Sequence, residues 1–317
     1  MFLSLIYLVI GLVLLVKGAD VLVEASAALA RAIGIPASVV GLTIVAFGTS
    51  APEMASGIAF TLSDRSEVVI GTVVGSNIAN VALILGVTAL VRPIPCRRAF
   101  TAIEVPLMIG ASVLSAALMV DGRITVLEGI GLLLFVAAYI AKPTSDAEEL
   151  GREVSESQPD EGPGAPRWAL RMSLIVLGIA GLTFGSQLLI SGAETLARAA
   201  GVPEFVIGLS LVAIGTSLPE LATAVRAAMK GHSDIAVGNV IGSNVFNLLG
   251  VVGVSAVFAP LAVPTSVLGR DLLVMLGLAL ACLPIMVTGR RINRSEGFLL
   301  LSVYLGYVTL LYLTRDA

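Results

Sequence analysis

Charge is scarce in this chain. Only 13% of its 317 residues are Asp, Glu, Lys or Arg, against 57% hydrophobic residues, and the mean hydropathy is +1.00. Soluble domains carry about twice that charged fraction, so an ordinary soluble domain is excluded. Cysteine occurs twice (Cys96, Cys282) and histidine once (His232). That is too little for a disulfide framework or a Cys/His metal cluster. It also leaves Ser50 and Ser217 without a histidine or lysine base in their own segments, which argues against an intramembrane hydrolase. The first segment has no basic n-region and no small-residue cleavage site, so a retained helix is expected rather than a signal peptide. The net charge of −3 says little about partners in a chain hidden mostly in lipid.

Apolar stretches approach or exceed the ~20 residues that cross a bilayer, and they recur along the whole chain. Ten segments are expected, at 2–30, 38–61, 67–90, 101–119, 124–141, 168–198, 205–228, 234–258, 269–288 and 296–313. The 33 glycines suit close helix packing in lipid. One linker stands out, 142–167, acidic and rich in Pro, Gly and Ser. It separates a first five-helix repeat (1–141) from a second (168–317). Five is odd, so the second half enters the membrane from the opposite side. The expected fold is all-α and polytopic, with ten transmembrane helices as two inverted five-helix repeats. With both termini outside, 13 of the 19 basic residues fall on the inner side, among them Arg97, Arg98, Arg152 and Arg291. The positive-inside rule therefore places the linker in the cytoplasm.

The halves repeat one another at an offset of 167 residues. GTSAPE (Gly48 to Glu53) returns as GTSLPE (Gly215 to Glu220), and GSNIAN (Gly75 to Asn80) as GSNVFN (Gly242 to Asn247). Gly11, Gly18 and Gly71 map to Gly178, Gly185 and Gly238. In the first motif Pro52 has no N–H to give the Gly48 carbonyl. A broken helix is expected there, with carbonyls from Ala46 to Thr49 free of helical partners. Such carbonyls are costly in lipid unless they line a polar cavity or bind a cation. Glu53 and Glu220 follow at the positive ends of the second half-helices. Carbonyls, the hydroxyls of Thr49, Ser50, Thr216 and Ser217, and two carboxylates form an all-oxygen environment. Hard cations such as Ca²⁺ and Na⁺ prefer such donors. Ser76 and Asn80 share one helix face, as do Ser243 and Asn247. Asn77 and Asn244 lie one residue round and are expected to point elsewhere.

Two carboxylates and no basic residue in the motifs make an anion a poor cargo. Two negative charges balance one Ca²⁺ or two monovalent cations, so that binding one set excludes the other, as an exchanger requires. A lone kink or a lone buried acid has a purely structural explanation available. The matched pair of motifs does not share it, because intramembrane carboxylates are expensive and functional by default. Asp20 and Glu24 lack acidic counterparts (Gln187, Ser191) and Glu194 faces Ala27, so interfacial or capping roles are expected for them. Glu104 and Asp271 match across the repeat, and helix-dipole roles are expected at their segment starts. His232 is expected to be solvated in a loop.

The paired motifs resemble the two alpha repeats of the cation/calcium exchanger superfamily, above all the compact prokaryotic sodium/calcium exchangers. The alpha repeats would span 39–86 and 206–253. The resemblance implies an integral plasma (inner) membrane antiporter, not an enzyme, that uses the Na⁺ gradient to move Ca²⁺ by alternating access without a cofactor. It implies Ca²⁺ ligation by Glu53, Glu220, Thr49 and Thr216. Na⁺ sites would use Ser50, Ser76, Ser217, Ser243, the carbonyls of Ala46 and Ala213, and Asn80 and Asn247, beside the two glutamates. Where Asn247 stands, potassium-dependent relatives carry aspartate, which argues against K⁺ co-transport. The proton-coupled calcium branch resembles the chain less, and Ca²⁺/H⁺ or other divalent-cation antiport is the alternative. A passive cation channel is a further class, disfavoured by the inverted repeat.

Overall fold

A computed structural model describes residues 2–98, 100–141, 167–201 and 213–314. The described chain is almost wholly helical. Eight helices among the described residues are long and apolar enough to cross a membrane. They are α1 (Phe2–Ile33), α2 (Ala37–Leu62), α3 (Ser66–Val91), α4 (Phe100–Met119), α6 (Arg167–Ala199), α9 (Ser233–Phe258), α10 (Val267–Arg290) and α11 (Arg294–Leu313). A shorter apolar helix, α5 (Val126–Ala141), completes the first half. The segment expected at 205–228 is described only from residue 213, as α7 (Ala213–Thr216) and α8 (Leu218–Met229). The linker expected at 142–167 lies outside the described residues apart from its last position.

Among the described residues, four two-residue strands make two antiparallel ladders. β1 (Ile94–Pro95) pairs with β4 (Arg291–Ile292), and β2 (Arg123–Ile124) pairs with β3 (Leu261–Ala262). Each ladder takes one strand from each half of the chain. The capping boxes repeat too. Thr125 and Glu128 exchange hydrogen bonds at the start of α5, Glu128 Oε2 accepting from Thr125 N at 2.7 Å. Asn293 and Glu296 do the same at the start of α11. Each exchange satisfies backbone N–H groups that a helix start leaves orphaned.

By contacts the chain forms two compact units, one of Met1–Pro52 with Ala137–Gly242, the other of Glu53–Val136 with Ser243–Ala317. In the first, α1 and α6 run antiparallel along a seam of glycines. A Cβ on Gly11 would meet Leu189 N at 2.7 Å and Gly185 O at 2.8 Å, and one on Gly18 would meet Gly178 O at 2.9 Å. Gly11 and Gly178 are repeat mates, as are Gly18 and Gly185, so the seam carries its own two-fold symmetry. Small residues let the backbones touch, which is how membrane helices gain packing energy without a hydrophobic drive. The α8 helix is tied to α1 by ion pairs. Arg226 Nη2 lies 2.6 Å from Asp20 Oδ1, and Lys230 pairs with both Asp20 and Glu24. The first turns of α2 rest on α9, where Cβ atoms on Gly238 and Gly242 would strike Ser38 and Leu42 backbone.

In the second unit the same logic recurs. Gly86 on α3 meets the Gly297 backbone on α11, and Gly253 on α9 meets the Gly129 backbone on α5. Departures from α geometry also follow the repeat. The π turns at Phe100–Glu104 and Val267–Asp271 are mates, and π turns opening at Asn80 and Phe246 lie at corresponding places. Glu104 and Asp271 close these π turns and cap the α-helices that follow, the helix-start positions expected of them; both side chains are buried, and Asp271 Oδ1 accepts from Arg270 Nε at 2.7 Å.

The expected break in the second segment takes two forms. In the second half helix geometry lapses at Ser217 (φ −90°, ψ 3°), between α7 and α8. In the first half α helix runs unbroken from Ala46 to Leu62 with Pro52 inside it, and the irregularity sits upstream as the π turn Gly41–Val45. Such local adjustment is how membrane helices absorb a proline. Nor is the Ala46 carbonyl left bare, since Thr49 Oγ1 lies 3.3 Å from it.

Candidate cation-binding site

Most of the motif residues are buried. Ser50, Ser243, Asn80, Asn247, Thr49 and Glu220 are each at most 2% exposed, and Glu53 is 5% exposed. Burial of polar groups at this depth is costly unless something supplies hydrogen bonds or charge. Some of these groups have such partners and others do not.

In the first unit Thr49 is held from α9. Its Oγ1 donates to Asn239 Oδ1 at 3.1 Å, and Asn239 Nδ2 donates to the backbone oxygen of Glu220 at 3.3 Å. Ser50, Thr216 and Ser217, by contrast, have hydroxyls that are buried and make no hydrogen bond. The Ala46 and Ala213 carbonyls open the helical stretches that lead into these residues.

In the second unit four asparagines interlock across α3 and α9. Asn247 Nδ2 donates to Asn77 Oδ1 at 3.2 Å, and Asn80 Nδ2 donates to Asn244 Oδ1 at 3.4 Å. These two bonds are images of each other under the 167-residue offset. Asn77 Nδ2 further donates to the Asn244 carbonyl at 3.3 Å, and Asn244 Nδ2 rests 3.4 Å from Met108 Sδ. With their amide nitrogens so engaged, Asn80 and Asn247 both keep a buried Oδ1 that makes no hydrogen bond. Glu53 Oε2 is buried without one as well, beside a cavity of about 10 Å³ that it lines with Ser56, Thr72 and Phe60. That volume holds roughly one water-sized species.

Six oxygens expected as cation ligands, on Ser50, Glu53, Asn80, Thr216, Ser217 and Asn247, are thus buried acceptors with no donor. Native proteins satisfy nearly all such groups, and exceptions call for an explanation. Hydroxyls elsewhere, such as those of Ser26 and Thr88, are unpartnered too, but the motif set adds a carboxylate and two carboxamide oxygens whose orientation is held by other side chains. Such oxygens suit a hard cation and would repel an anion. Ser76 and Ser243 are buried on the same helices. No group of three or more His, Cys, Asp or Glu able to hold a transition metal occurs among the described residues.

Three residues escaped the sequence reading. Asn77 and Asn244 do not point away; they hold the site carboxamides. Their exact repetition in both halves was the signal. Asn239 had none, because its repeat mate is Thr72. Asp20 and Glu24 prove to be ion-pair partners of Arg226 and Lys230, so those two cations are structural as well as topological. His232 is half-buried. Burial, followed by the nearby Arg31 charge, holds its imidazole below the usual range. It lines a pocket of about 780 Å³ with Glu24, Arg31, Arg171 and Lys230.

An inverted helical repeat with glycine-packed seams and buried, donor-poor oxygens defines a multi-pass membrane transporter of the cation class. The chain belongs to the sodium/calcium exchanger family: the sequence model described as "Sodium/calcium exchanger protein" matches residues 3–142 and 171–313. It is 34% identical over 307 residues to the sodium/calcium exchanger MaX1 of Methanosarcina acetivorans, covering 86% of this chain and 87% of that one. It is 40% identical over 280 residues to the candidate antiporter CaxA of Alkalimonas amylolytica, covering 86% of each. Among solved structures it is similar to the sodium-calcium exchanger NCX_Mj, with a TM-score of 0.81 at 28% identity, covering 98% of this chain and 99% of that one. The family is one of cation antiporters, calcium among their cargoes, rather than of enzymes.

Proposed function

We propose that this protein is a Na⁺-driven Ca²⁺ antiporter. Glu53 and Glu220 supply the carboxylates for Ca²⁺, with Thr49 and Thr216 as neutral ligands. Na⁺ competes for the same region through Ser50, Ser76, Ser217, Ser243, the Ala46 and Ala213 carbonyls, Asn80 and Asn247. The observation that carries the reading is the set of six buried, undonated oxygens on both motif pairs. A cation supplies the positive charge that the protein withholds. Two carboxylates are neutralised by one Ca²⁺ or by monovalent ions, so occupancy by one excludes the other and couples their movement. Exchange proceeds by alternating access, moves net charge because more than the two Na⁺ that would balance one Ca²⁺ are exchanged for it, and needs no K⁺, since Asn247 contributes an amide where an acid would favour a further cation. Basic residues on the inner loops support termini outside and the linker inside.

The test is radiocalcium uptake into liposomes carrying the purified protein. Uptake is expected to require internal Na⁺, to be indifferent to K⁺, and to rise when a valinomycin clamp makes the potential favour the charge movement. Glu53→Gln and Glu220→Gln are each expected to fall to the background of empty liposomes. Uptake driven by a pH gradient in the absence of Na⁺ would replace this reading with Ca²⁺/H⁺ antiport. The similarity to CaxA, a candidate antiporter with no named coupling ion, is why that control is included.

A further inference from the structure

The two repeats match closely at the motifs, and one place where their polar residues differ is Asn239, three residues before the second GSN. It lies on α9, one helical turn before Ser243, and is fully buried. Its repeat mate is Thr72. One face of its carboxamide meets the Glu220 backbone carbonyl, the other the Thr49 hydroxyl. A carbonyl oxygen can only accept, so the amide nitrogen must face Glu220 and the amide oxygen must face Thr49. The Thr49 hydroxyl must then donate, toward Asn239 Oδ1 at 3.1 Å with Ala46 O at 3.3 Å on the same helix. A hydroxyl whose proton is committed in this way turns its lone pairs away from those partners. Thr216, the mate of Thr49, has no such tether, and its buried Oγ1 makes no hydrogen bond.

We infer that Asn239 is a positioning residue that fixes the Thr49 hydroxyl as a preoriented acceptor for Ca²⁺ and so makes the two repeats unequal in cation affinity. The inference rests on the reading of Thr49 as a Ca²⁺ ligand. Preorientation acts on binding, because a ligand oxygen already turned toward the ion need not be ordered when the ion arrives. Asparagine is required for this. Aspartate keeps the acceptor for Thr49 but sets a second acceptor against the Glu220 carbonyl, while alanine removes both contacts.

The test compares Asn239→Thr, the residue this chain already carries at position 72, and Asn239→Ala, each alone and in a Thr49→Val background. Initial rates of Na⁺-dependent radiocalcium uptake are measured across a Ca²⁺ series, with monodispersity checked for every variant. Either substitution at 239 is expected to raise the half-saturating Ca²⁺ concentration about fivefold, the equivalent of about 1 kcal/mol, with the maximal rate changed less than about twofold. In the Thr49→Val background the same substitutions are expected to add nothing, because the hydroxyl they orient is gone. Additive effects in that background, or a lowered maximal rate at unchanged half-saturation, would overturn the inference. If Thr49→Val itself leaves half-saturation unchanged, the ligand reading of Thr49 fails. If Thr49→Val weakens Ca²⁺ but Asn239→Thr does not, the positioning role alone falls.

Discussion

At the scale of single residues, the site is built as much by side chains that hold ligands as by the ligands. Asn77 Nδ2 donates to the Asn244 carbonyl, and Asn77 Oδ1 accepts from Asn247 Nδ2. Asn77→Ala strands both groups in a buried place, at a cost on the order of 1–3 kcal/mol. A lower melting temperature in detergent is the expected result, and Asn77→Asp, which sets an acceptor and a buried charge against the Asn244 carbonyl, should not recover it. Asn244→Ala should behave alike, since the two are repeat mates. His232 gives a pH signature. Its folded pKa is depressed by burial and then by Arg31. Its contribution to stability is therefore present above the unfolded value of about 6.5 and is lost as pH falls through the lower folded value. His232→Gln should flatten the fall in melting temperature between about pH 7 and about pH 5 relative to the unaltered protein. Neighbouring Lys230 is shifted the other way. Burial would lower it, but its pairs with Glu24 and Asp20 outweigh burial and raise it.

At the scale of elements, the antiparallel α1–α6 seam depends on the absence of Cβ atoms. Gly18→Val would place carbon 2.7 Å from Leu182 N and 2.9 Å from Gly178 O. Backbone cannot step aside as a flexible side chain can, so the cost should exceed the roughly 1–3 kcal/mol of ordinary overpacking. Loss of the monodisperse peak on size-exclusion chromatography is expected. Gly306→Ala on exposed α11 meets no atom within 4 Å and should leave that peak unchanged, or stabilise the protein by up to about 1 kcal/mol through helix propensity. The motif helices show what sequence rules miss. Proline and glycine chemistry marked the break in the second half, where helix geometry lapses at Ser217, but not in the first, where α helix continues through Pro52 and the irregularity is the upstream π turn Gly41–Val45. That difference depends on how the neighbouring helix packs, and propensity carries no information about it.

At the scale of the whole molecule, neither half of the chain makes a unit alone. The first unit joins α1 with α6 and α8, and the second joins α3 to α5 with the end of α9, α10 and α11. The ladders β1–β4 and β2–β3 both cross from one half to the other. Residues 1–141 expressed alone are therefore expected to aggregate, as are residues 168–317 alone. Co-expressed as two chains, they should co-purify and restore Na⁺-dependent Ca²⁺ uptake. Two independently folded halves would contradict the exchange of elements seen here.

The chain's own order of residues showed the apolar helices, the duplication and the oxygen-bearing side chains of the motifs. Those follow from hydropathy, from spacing along a helix and from side-chain chemistry, all of which are local. It also led to the expectation of an inverted topology, because an odd number of spans per repeat would admit no other arrangement. Tertiary structure alone decided which carboxamide holds which, that Arg226 and Lys230 answer Asp20 and Glu24, and that Asn239 reaches Thr49. These partners are 164 to 206 residues apart along the chain. Hydrogen bonds between them exist only once close-packed helices bring donor and acceptor within about 3 Å, a condition set by packing in three dimensions.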